Sequence, residues 1–446
     1  MNFTVEVRDS LTHVSDAALD YVTSGSSVFL DRRWFRMLDA LDLAPLVRGE
    51  VALRYVVVRR DGEPAGICPF LVTRSKSIYW YYSFDKYFFS SWQEKLLRLD
   101  PARADWIRKV SRILAAYRGF ARATGVRTNG WVLAISPLSW RGDIAVARLS
   151  AEGEQVVRDA VIAALQDVAR EEKLPLCFFG VQEDKAELRQ ALGQRGFAEL
   201  FLVYDHLLHV PGQSFADYLD QFRSDARRLV NREIKQARDA GVRFELTQDF
   251  GRVSARLAEL REATYSRHGE EEEYLNYSAP FWAALERYVA PRAEAIIAYR
   301  GRELLGFSLL LNKQGEVWFA RVGRAYEGDG ERLPVYFNLA FYEPVKRALA
   351  LGAKRIWFGP GASEAKRRRG ARGCVLLSFL WFPRRWSRAL LMPYLERYSR
   401  ANHRLQAGDM RPSSYLKAHV AASGSVSELQ TIPDDTSGSG RTQSRE

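Results

Sequence analysis

Two stretches of the chain carry the same arrangement of apolar and polar positions. Val57–Leu71, VVRRDGEPAGICPFL, is an apolar run, a charged turn and a second apolar run opened by Gly66. Ile297–Leu311, IAYRGRELLGFSLLL, repeats it 240 residues later. Arg60 falls on Arg300, Glu63 on Glu303 and Gly66 on Gly306. β-Branched runs on either side of a short Gly-containing turn predict a β-hairpin. Ile78–Trp80 and Trp318-Phe319 supply a third short strand at the same offset. Charged turns between apolar strands occur in every fold class. Two at one spacing, each with its third strand, predict two related α/β units in tandem.

The remaining patterning fills in the two units. Phe3–Val7 reads as a strand, Trp34–Leu41 as a helix, and Asp105–Ala123 as a helix with Trp106, Val110, Ile113, Leu114 and Tyr117 on one face. A helix over Arg148–Glu172, a strand at Leu176–Phe179, a helix at Lys185–Leu192 and a strand at Phe201–Leu208 follow. Pro211-Gly212 marks a boundary. Ser214 then caps a long basic helix, Phe215–Ala240, which carries Arg223, Arg227, Arg228, Arg232, Lys235 and Arg238 and stops at Gly241. The second unit repeats the order: strand Val242–Leu246, helices Val253–Ser266 and Pro280–Val289, then the second hairpin. Beyond it come a helix Pro334–Leu351, strands Arg355–Phe358 and Val375–Trp381, and a basic helix from Trp386. Ser423–Glu446 is rich in Ser, Gly and Thr without apolar period and reads as a disordered tail. The expected organisation is a first domain over 1–210, a second over 211–420 and a tail over 421–446. The class is α+β, each domain a mostly antiparallel sheet flanked by helices.

Charge and composition change this picture in one respect. The net charge of +12 is mostly arginine. It fits either a solvated surface or a surface for phosphate-bearing ligands such as a nucleotide cofactor, tRNA or anionic lipid, since guanidinium pairs bidentately with phosphate. Three scattered cysteines give no metal spacing and no disulfide framework. Six dispersed histidines form no His-x-x-x-His pair, so no metal site is expected. No signal peptide is visible, and the longest apolar run, Cys374–Phe382, is too short to span a bilayer. These features predict a soluble, cytoplasmic protein. No G-x-G-x-x-G follows a strand, and neither a P-loop nor a G-x-S-x-G elbow occurs, which argues against dehydrogenase, ATPase and α/β-hydrolase chemistry.

Two segments of the second unit are candidates for chemistry. Arg324-Ala-Tyr-Glu-Gly328-Asp-Gly330 lies between a strand and the helix at Pro334, where glycines let backbone N–H groups approach a phosphate. The equivalent stretch of the first unit, Tyr81–Phe89, has no glycine and is densely aromatic. Further on, a strand ending Trp357-Phe358 turns through Gly359-Pro-Gly361 into Ala-Ser363-Glu364-Ala-Lys366-Arg367-Arg368-Arg369-Gly370. One carboxylate and four cations after a buried strand suit either a solvated basic loop or a group that holds phosphate or an oxyanion.

This last run, S-E-x-K-x-x-R-G after a strand and Gly turn, resembles the FemAB-like branch of the GNAT superfamily, which includes the peptidoglycan biosynthesis/recognition N-acyltransferases. Other pieces agree in order: Phe29-Leu30 and Trp34, Gly66-x-x-Pro69-Phe-Leu, and Glu183 through Gly196-Phe197. Ser214-Phe-x-x-Tyr218-Leu follows, with Arg227-Arg228, Arg232-Glu233 and Gly241. The resemblance covers about residues 25–385. It implies tandem GNAT-like (acyl-CoA N-acyltransferase) domains that transfer an acyl or aminoacyl group to an amine. The donor side lies in the second domain, and the first serves as scaffold and acceptor wall. The chain departs from the usual pyrophosphate signature, Arg/Gln-x-x-Gly-x-Gly/Ala, by one added residue in Arg324-x-x-x-Gly328-x-Gly330. The following helix opens with Leu333-Pro-Val-Tyr336.

Transfer to an amine needs a deprotonated acceptor, a polarised donor carbonyl and a proton for the leaving group. Lys366 and Arg369 are expected to supply the positive field. Glu364 is expected either to take the amine proton or to orient Lys366 by an ion pair. Arg324, Gly328, Gly330, Tyr336 and Asn338 are expected on the donor side. No permanently bound cofactor is implied; acyl-CoA or aminoacyl-tRNA is the co-substrate. The acceptor is an amine-bearing small molecule, peptide or cell-wall precursor, and tRNA is a further expected partner if the basic helix tracks its phosphates. Three functions stay open: an acyl-CoA N-acyltransferase, an aminoacyl-tRNA-dependent transferase, and a non-catalytic protein that binds phosphate or an anionic surface.

Overall fold

A computed structural model describes residues 2–74, 82–83, 104–105, 108–109, 112, 130–267, 275, 277–290, 292–326, 328, 333–408, 410 and 415–417. The strands are β1 (Phe3–Arg8), β2 (Val51–Arg60), β3 (Glu63–Thr73), β4 (Trp131–Ala134), β5 (Ala145–Val146), β6 (Leu176–Gln182) and β7 (Ala198–His209). They continue with β8 (Val242–Thr247), β9 (Ala293–Arg300), β10 (Glu303–Lys313), β11 (Glu316–Arg324), β12 (Arg355–Trp357) and β13 (Arg372–Trp381). The helices are α1 (Asp16–Thr23), α2 (Arg32–Ala40), α3 (Leu43–Val47), α4 (Ala151–Glu172), α5 (Ala186–Gln194), α6 (Phe215–Asp220) and α7 (Ser224–Asp239). After them come α8 (Ser254–Arg267), α9 (Ala279–Ala284), α10 (Val335–Phe337), α11 (Glu343–Ala350), α12 (Ser363–Arg367) and α13 (Arg385–Gly408). π-Helical turns at Leu285–Val289 and Asn338–Tyr342 extend α9 and join α10 to α11.

The strands form one sheet in the order β1-β2-β3-β4-β6-β13-β7-β12-β11-β10-β9-β8, with β5 paired to β3. Read inward from its two edges the sheet is the same twice. β1, β2, β3, β4 and β6 correspond to β8, β9, β10, β11 and β12, and each series ends on a strand from the other half of the chain. β13 closes the first series and β7 the second. Among the described residues, the parallel ladders are the equivalent pairs β4–β6 and β11–β12.

The repeated hairpin holds in atomic detail. The register of β2 with β3 shifts next to the Val58–Gly66 pair, and that of β9 with β10 shifts next to Ala298–Gly306, the same positions 240 residues apart. The glycine is needed in both. A Cβ on Gly66 would lie 2.2 Å from Val157 of α4, and one on Gly306 would lie 2.8 Å from Leu339 and 2.9 Å from the Gly323 carbonyl. Each repeat thus presses a helix against its bulged hairpin at a point where only a bare backbone fits.

Two expectations need correction. The strand beside β3 is Trp131–Ala134, paired Phe70 to Ala134, while Ile78–Trp80 and most of Asp105–Ala123 lie outside the described residues. The basic helix is two helices. α6 opens with a reciprocal Ser214–Asp217 capping box but ends at Asp220, because Gln221–Arg223 pairs with Tyr415–Lys417 instead. Arg223 N–H donates to the Tyr415 carbonyl at 3.0 Å, and Lys417 N–H to that of Gln221 at 2.9 Å. Backbone groups taken up by another strand are lost to the helix.

One face of the sheet buries α2, α3, α8, α9 and α13 in a core that runs across both halves. On the other face, α4 and α5 cover the first repeat. α6, α7 and the Val335–Ala350 segment cover the second.

Candidate active site

The second repeat opens a wedge in its sheet. β11 pairs with β12 only from Glu316 to Trp318, although β11 itself runs on to Arg324. The β12 side instead follows β7: Trp357 pairs with Leu207, and Phe358 N–H donates to the His206 carbonyl at 2.8 Å. Past Trp318 the edge of β11 that faces β12 therefore has no ladder partner among the described residues. Two backbone groups of this edge are held by α8, the Val322 carbonyl by Arg261 at 2.6 Å and the Arg324 N–H by the Thr264 hydroxyl at 3.2 Å, and an extended ligand would pair with what remains or displace them.

Two clefts lie beside this wedge. The first, of about 460 Å³, runs between α7 and the start of α10 and is lined by Arg232, Gln236, Arg324, Leu333 and Tyr336. The second, of about 300 Å³, is lined by Glu364, Arg368, Arg369 and Tyr415. Leu229, Glu233 and Phe337 line both. Behind this shared wall sits a buried cluster. The Arg369 guanidinium donates to Glu233 at 3.2 Å, to the Tyr342 hydroxyl at 3.3 Å and to the Ala365 carbonyl at 3.3 Å. It also lies 3.8 Å from the centre of the Phe337 ring. Tyr342 donates to the same Glu233 carboxylate.

The turn after β12 returns the chain beneath the wedge. Gly359 and Gly361 adopt φ of 75° and 79°, a region open to glycine at little cost, and Ala362 follows at 47°. This reversal brings Lys366 back under β7. Its ammonium donates to the Gly359 carbonyl at 2.8 Å and the Pro360 carbonyl at 3.0 Å, which uses two of its three N–H groups. Burial pushes its pKa down to about 7, against an upward pull from Asp205. His206 shares the Gly359 carbonyl through Nδ1 at 3.1 Å, while its buried Nε2 has no hydrogen-bond partner among the described residues. Burial and the neighbouring Lys366 lower the His206 pKa to about 3, so its ring is neutral.

On the opposite face of β7, Asp205 is buried and paired with Arg141, which comes from the loop after β4 in the first repeat. The Arg141 guanidinium lies 5.1 Å from the Trp318 ring and 4.6 Å from that of Trp357. Those two indoles stack 5.3 Å apart at the apex of the wedge. Low dielectric and cation–π contact make this a tightly held group. It ties the first repeat to the point where β11 and β12 part.

The structure brings some of the expected residues together and separates others. Arg324 and Tyr336 share the larger cleft. Gly328 has a φ of 55°, and Gly330 lies outside the described residues. Asn338 does not face a cleft: it is fully buried and donates to the carbonyls of Pro334 at 2.8 Å and Glu233 at 3.3 Å. Lys366 and Arg369 are both buried, but the Arg369 guanidinium is engaged by Glu233 and Tyr342. Glu364 does not orient Lys366. It is exposed and pairs with Arg368, because one helical turn places residues 364 and 368 on the same face. Sequence reasoning missed Arg141, Asp205, His206 and the role of Glu233. The Asp205-His206 pair inside the apolar run LFLVYDHLLH was an available signal, since charge inside a buried strand demands a partner.

The FemAB-like family, described as peptidoglycan biosynthesis/recognition, matches residues 135–412. No curated protein matches the sequence. Among solved structures, FemX is similar at 13% identity over 86% of this chain and 97% of its own, with a TM-score of 0.51. A tandem GNAT protein from the clavulanic acid biosynthesis pathway is 12% identical over 86% of this chain and 99% of its own, with a TM-score of 0.41. The C-terminal domain of a putative lysylphosphatidylglycerol synthetase from Agrobacterium fabrum is 10% identical over 60% and 81%, also at 0.41. At such identities the likeness to FemX is one of fold alone, an α+β architecture shared over most of both chains.

Proposed function

Because the chain belongs to the FemAB-like family, we propose that it is an N-acyltransferase that moves an acyl group from an acyl-CoA to an amine, with the donor held by the second repeat (211–420). Family and fold together support a transferase of the acyltransferase type. The observation that carries the finer reading is the wedge between β11 and β12, flanked by a cleft with Arg232 and Arg324 at its walls. A pantetheine arm is an extended amide chain and would run along this edge of β11, in place of the Arg261 and Thr264 side chains that hold the Val322 carbonyl and the Arg324 N–H, while the guanidinium groups of Arg232 and Arg324 pair with phosphate.

The acceptor nitrogen attacks the thioester carbonyl carbon, a C–N bond forms and the C–S bond breaks. The amine loses one proton and the departing thiolate gains one. Lys366, whose pKa lies near neutrality, is the group we assign to take the amine proton when neutral or to stabilise the oxyanion when charged. Arg369 holds the wall through Glu233 and so positions the donor side without touching the reacting atoms. Transfer in the cytoplasm, to the amine of a cell-wall precursor or a small molecule, belongs to the same proposal.

A second reading has its own observation. Arg228 and Arg232 stand on the solvent face of α7, with no carboxylate at ion-pair distance among the described residues. Such a face suits the phosphates of a charged tRNA, and its binding would weaken steeply with salt.

Thermal unfolding of the full chain in titrations of CoA, acyl-CoA and charged tRNA separates the readings. Acyl-CoA should raise the midpoint with the logarithm of its concentration. R232Q and R324Q should each weaken that binding about tenfold, the worth of one charge-assisted hydrogen bond. Stabilisation by charged tRNA alone would replace the first reading with the second, and silence with all three ligands would remove both.

A further inference from the structure

The solvent face of α13 bears no relation to the wedge or its clefts. α13 packs Leu391, Met392, Leu395, Tyr398 and Asn402 into the protein and leaves a stripe of arginines outside. Arg397, Arg400 and Arg404 are exposed along it, Arg385 and Arg388 are exposed on the flank of the helix turned away from Leu390, and the one acidic residue of the helix is Glu396. Arg385, Arg388, Arg397 and Arg400 have no carboxylate at ion-pair distance among the described residues. Elsewhere surface arginines are commonly paired, as Arg158 is with Glu154 and Arg256 with Glu259. From Arg385 to Arg404 the helix extends about 28 Å at 1.5 Å per residue.

Apolar surface is mixed into the stripe. Leu390 is 43% exposed, Ala389 and Pro393 are exposed, and Trp386 and Tyr394 are half-buried at its margin. Unpaired cations beside a leucine and two amphipathic aromatic rings match the boundary between phospholipid headgroups and acyl chains. A nucleic-acid phosphate track would use the arginines but leave Leu390 without purpose. No helix among the described residues is long and apolar enough to cross a membrane, so contact would be along the surface.

We propose that the exposed face of α13 docks the protein on an anionic phospholipid surface. Arg397 and Arg400, on the same side of the helix as Leu390, meet the headgroup phosphates, and Leu390 dips beneath them. The proposal is independent of which acyl donor is used.

The test is cosedimentation of the full-length protein with phosphatidylglycerol/phosphatidylcholine vesicles, with phosphatidylcholine vesicles as reference, at low and high salt. Binding should require phosphatidylglycerol and fall at high salt. Each arginine near such a surface is worth about fivefold in partitioning, so R397Q/R400Q should bind about 25-fold more weakly. L390Q should weaken binding without changing its salt dependence. R243Q/R256Q, which removes two arginines already paired with carboxylates, should bind as the wild type does. The proposal is overturned by equal binding to both vesicle types, by no binding to either, or by an R397Q/R400Q protein that binds vesicles normally. Loss of tRNA binding with vesicle binding intact would assign the stripe to RNA and overturn it as well.

Discussion

Lys366 ties the energetics of the fold to pH in a way that can be measured. The side chain is 7% exposed, and its pKa falls from the ordinary 10.5 to about 7. Between those two values the unfolded chain still holds the proton that the folded chain has released. The unfolded state therefore binds more protons, and stability rises with pH across that window. For one group displaced this far, the gain from about pH 7 to about pH 9 is about 2 kcal/mol. Other groups titrate in the same range, so the informative quantity is the difference from K366M, which keeps much of the volume and carries no proton. Urea unfolding followed by tryptophan fluorescence is a suitable assay, because Trp318 and Trp357 stack beside Asp205 at the same point of β7. The wild type should gain about 2 kcal/mol on K366M as the pH rises through this interval. K366R, charged throughout, should be destabilised at every pH and show no such gain. Parallel pH profiles for the wild type and K366M would refute the argument, since they would mean that Lys366 keeps its proton when folded.

Two further predictions concern the scaffold. G66A and G306A should each cost about 1–3 kcal/mol, since both put a methyl group into an occupied position. G193A in α5, where nothing lies within 4 Å, should be neutral or stabilise by up to about 1 kcal/mol; urea midpoints that rank the three otherwise would contradict the repeat's packing. Breaking the Arg141–Asp205 pair by R141Q or D205N should cost about 3–5 kcal/mol, because a buried charge loses its partner. The R141M/D205L double variant should be more stable than the sum of the single losses implies; a strictly additive cycle would show that the two do not act as a pair.

Local pattern carried much of the fold. The β2–β3 and β9–β10 hairpins were legible because alternation and turn chemistry are properties of a few adjacent residues. So were the N-cap at Ser214 and the helix stop at Gly241. What escaped depended on distant partners. The break between α6 and α7 exists because residues 221–223 pair with 415–417, and nothing within the helix announces it. β4 was missed because it reaches β3 across a separation of nearly sixty residues. At the candidate site, Lys366, Arg324 and Tyr336 are the residues that charge and position along the chain propose. Arg141 is not among them, because its partner Asp205 lies 64 residues away and its aromatic neighbours farther still. Of the two roles expected of Glu364, the ion pair with Lys366 rested on proximity in sequence, whereas helical geometry gives it Arg368.

The exchange of β7 and β13 has a consequence for synthesis. The first repeat lacks its last strand until residue 381 has been made, because β13 alone fits between β6 and β7. On the ribosome the apolar strand Leu176–Gln182 therefore emerges with one edge unfilled, and it waits through nearly the whole second repeat for its neighbour. An exposed edge of this kind invites pairing with other chains, and closing so long a loop is slow. The two repeats look like independent units in sequence, yet neither can finish folding before the other has been translated.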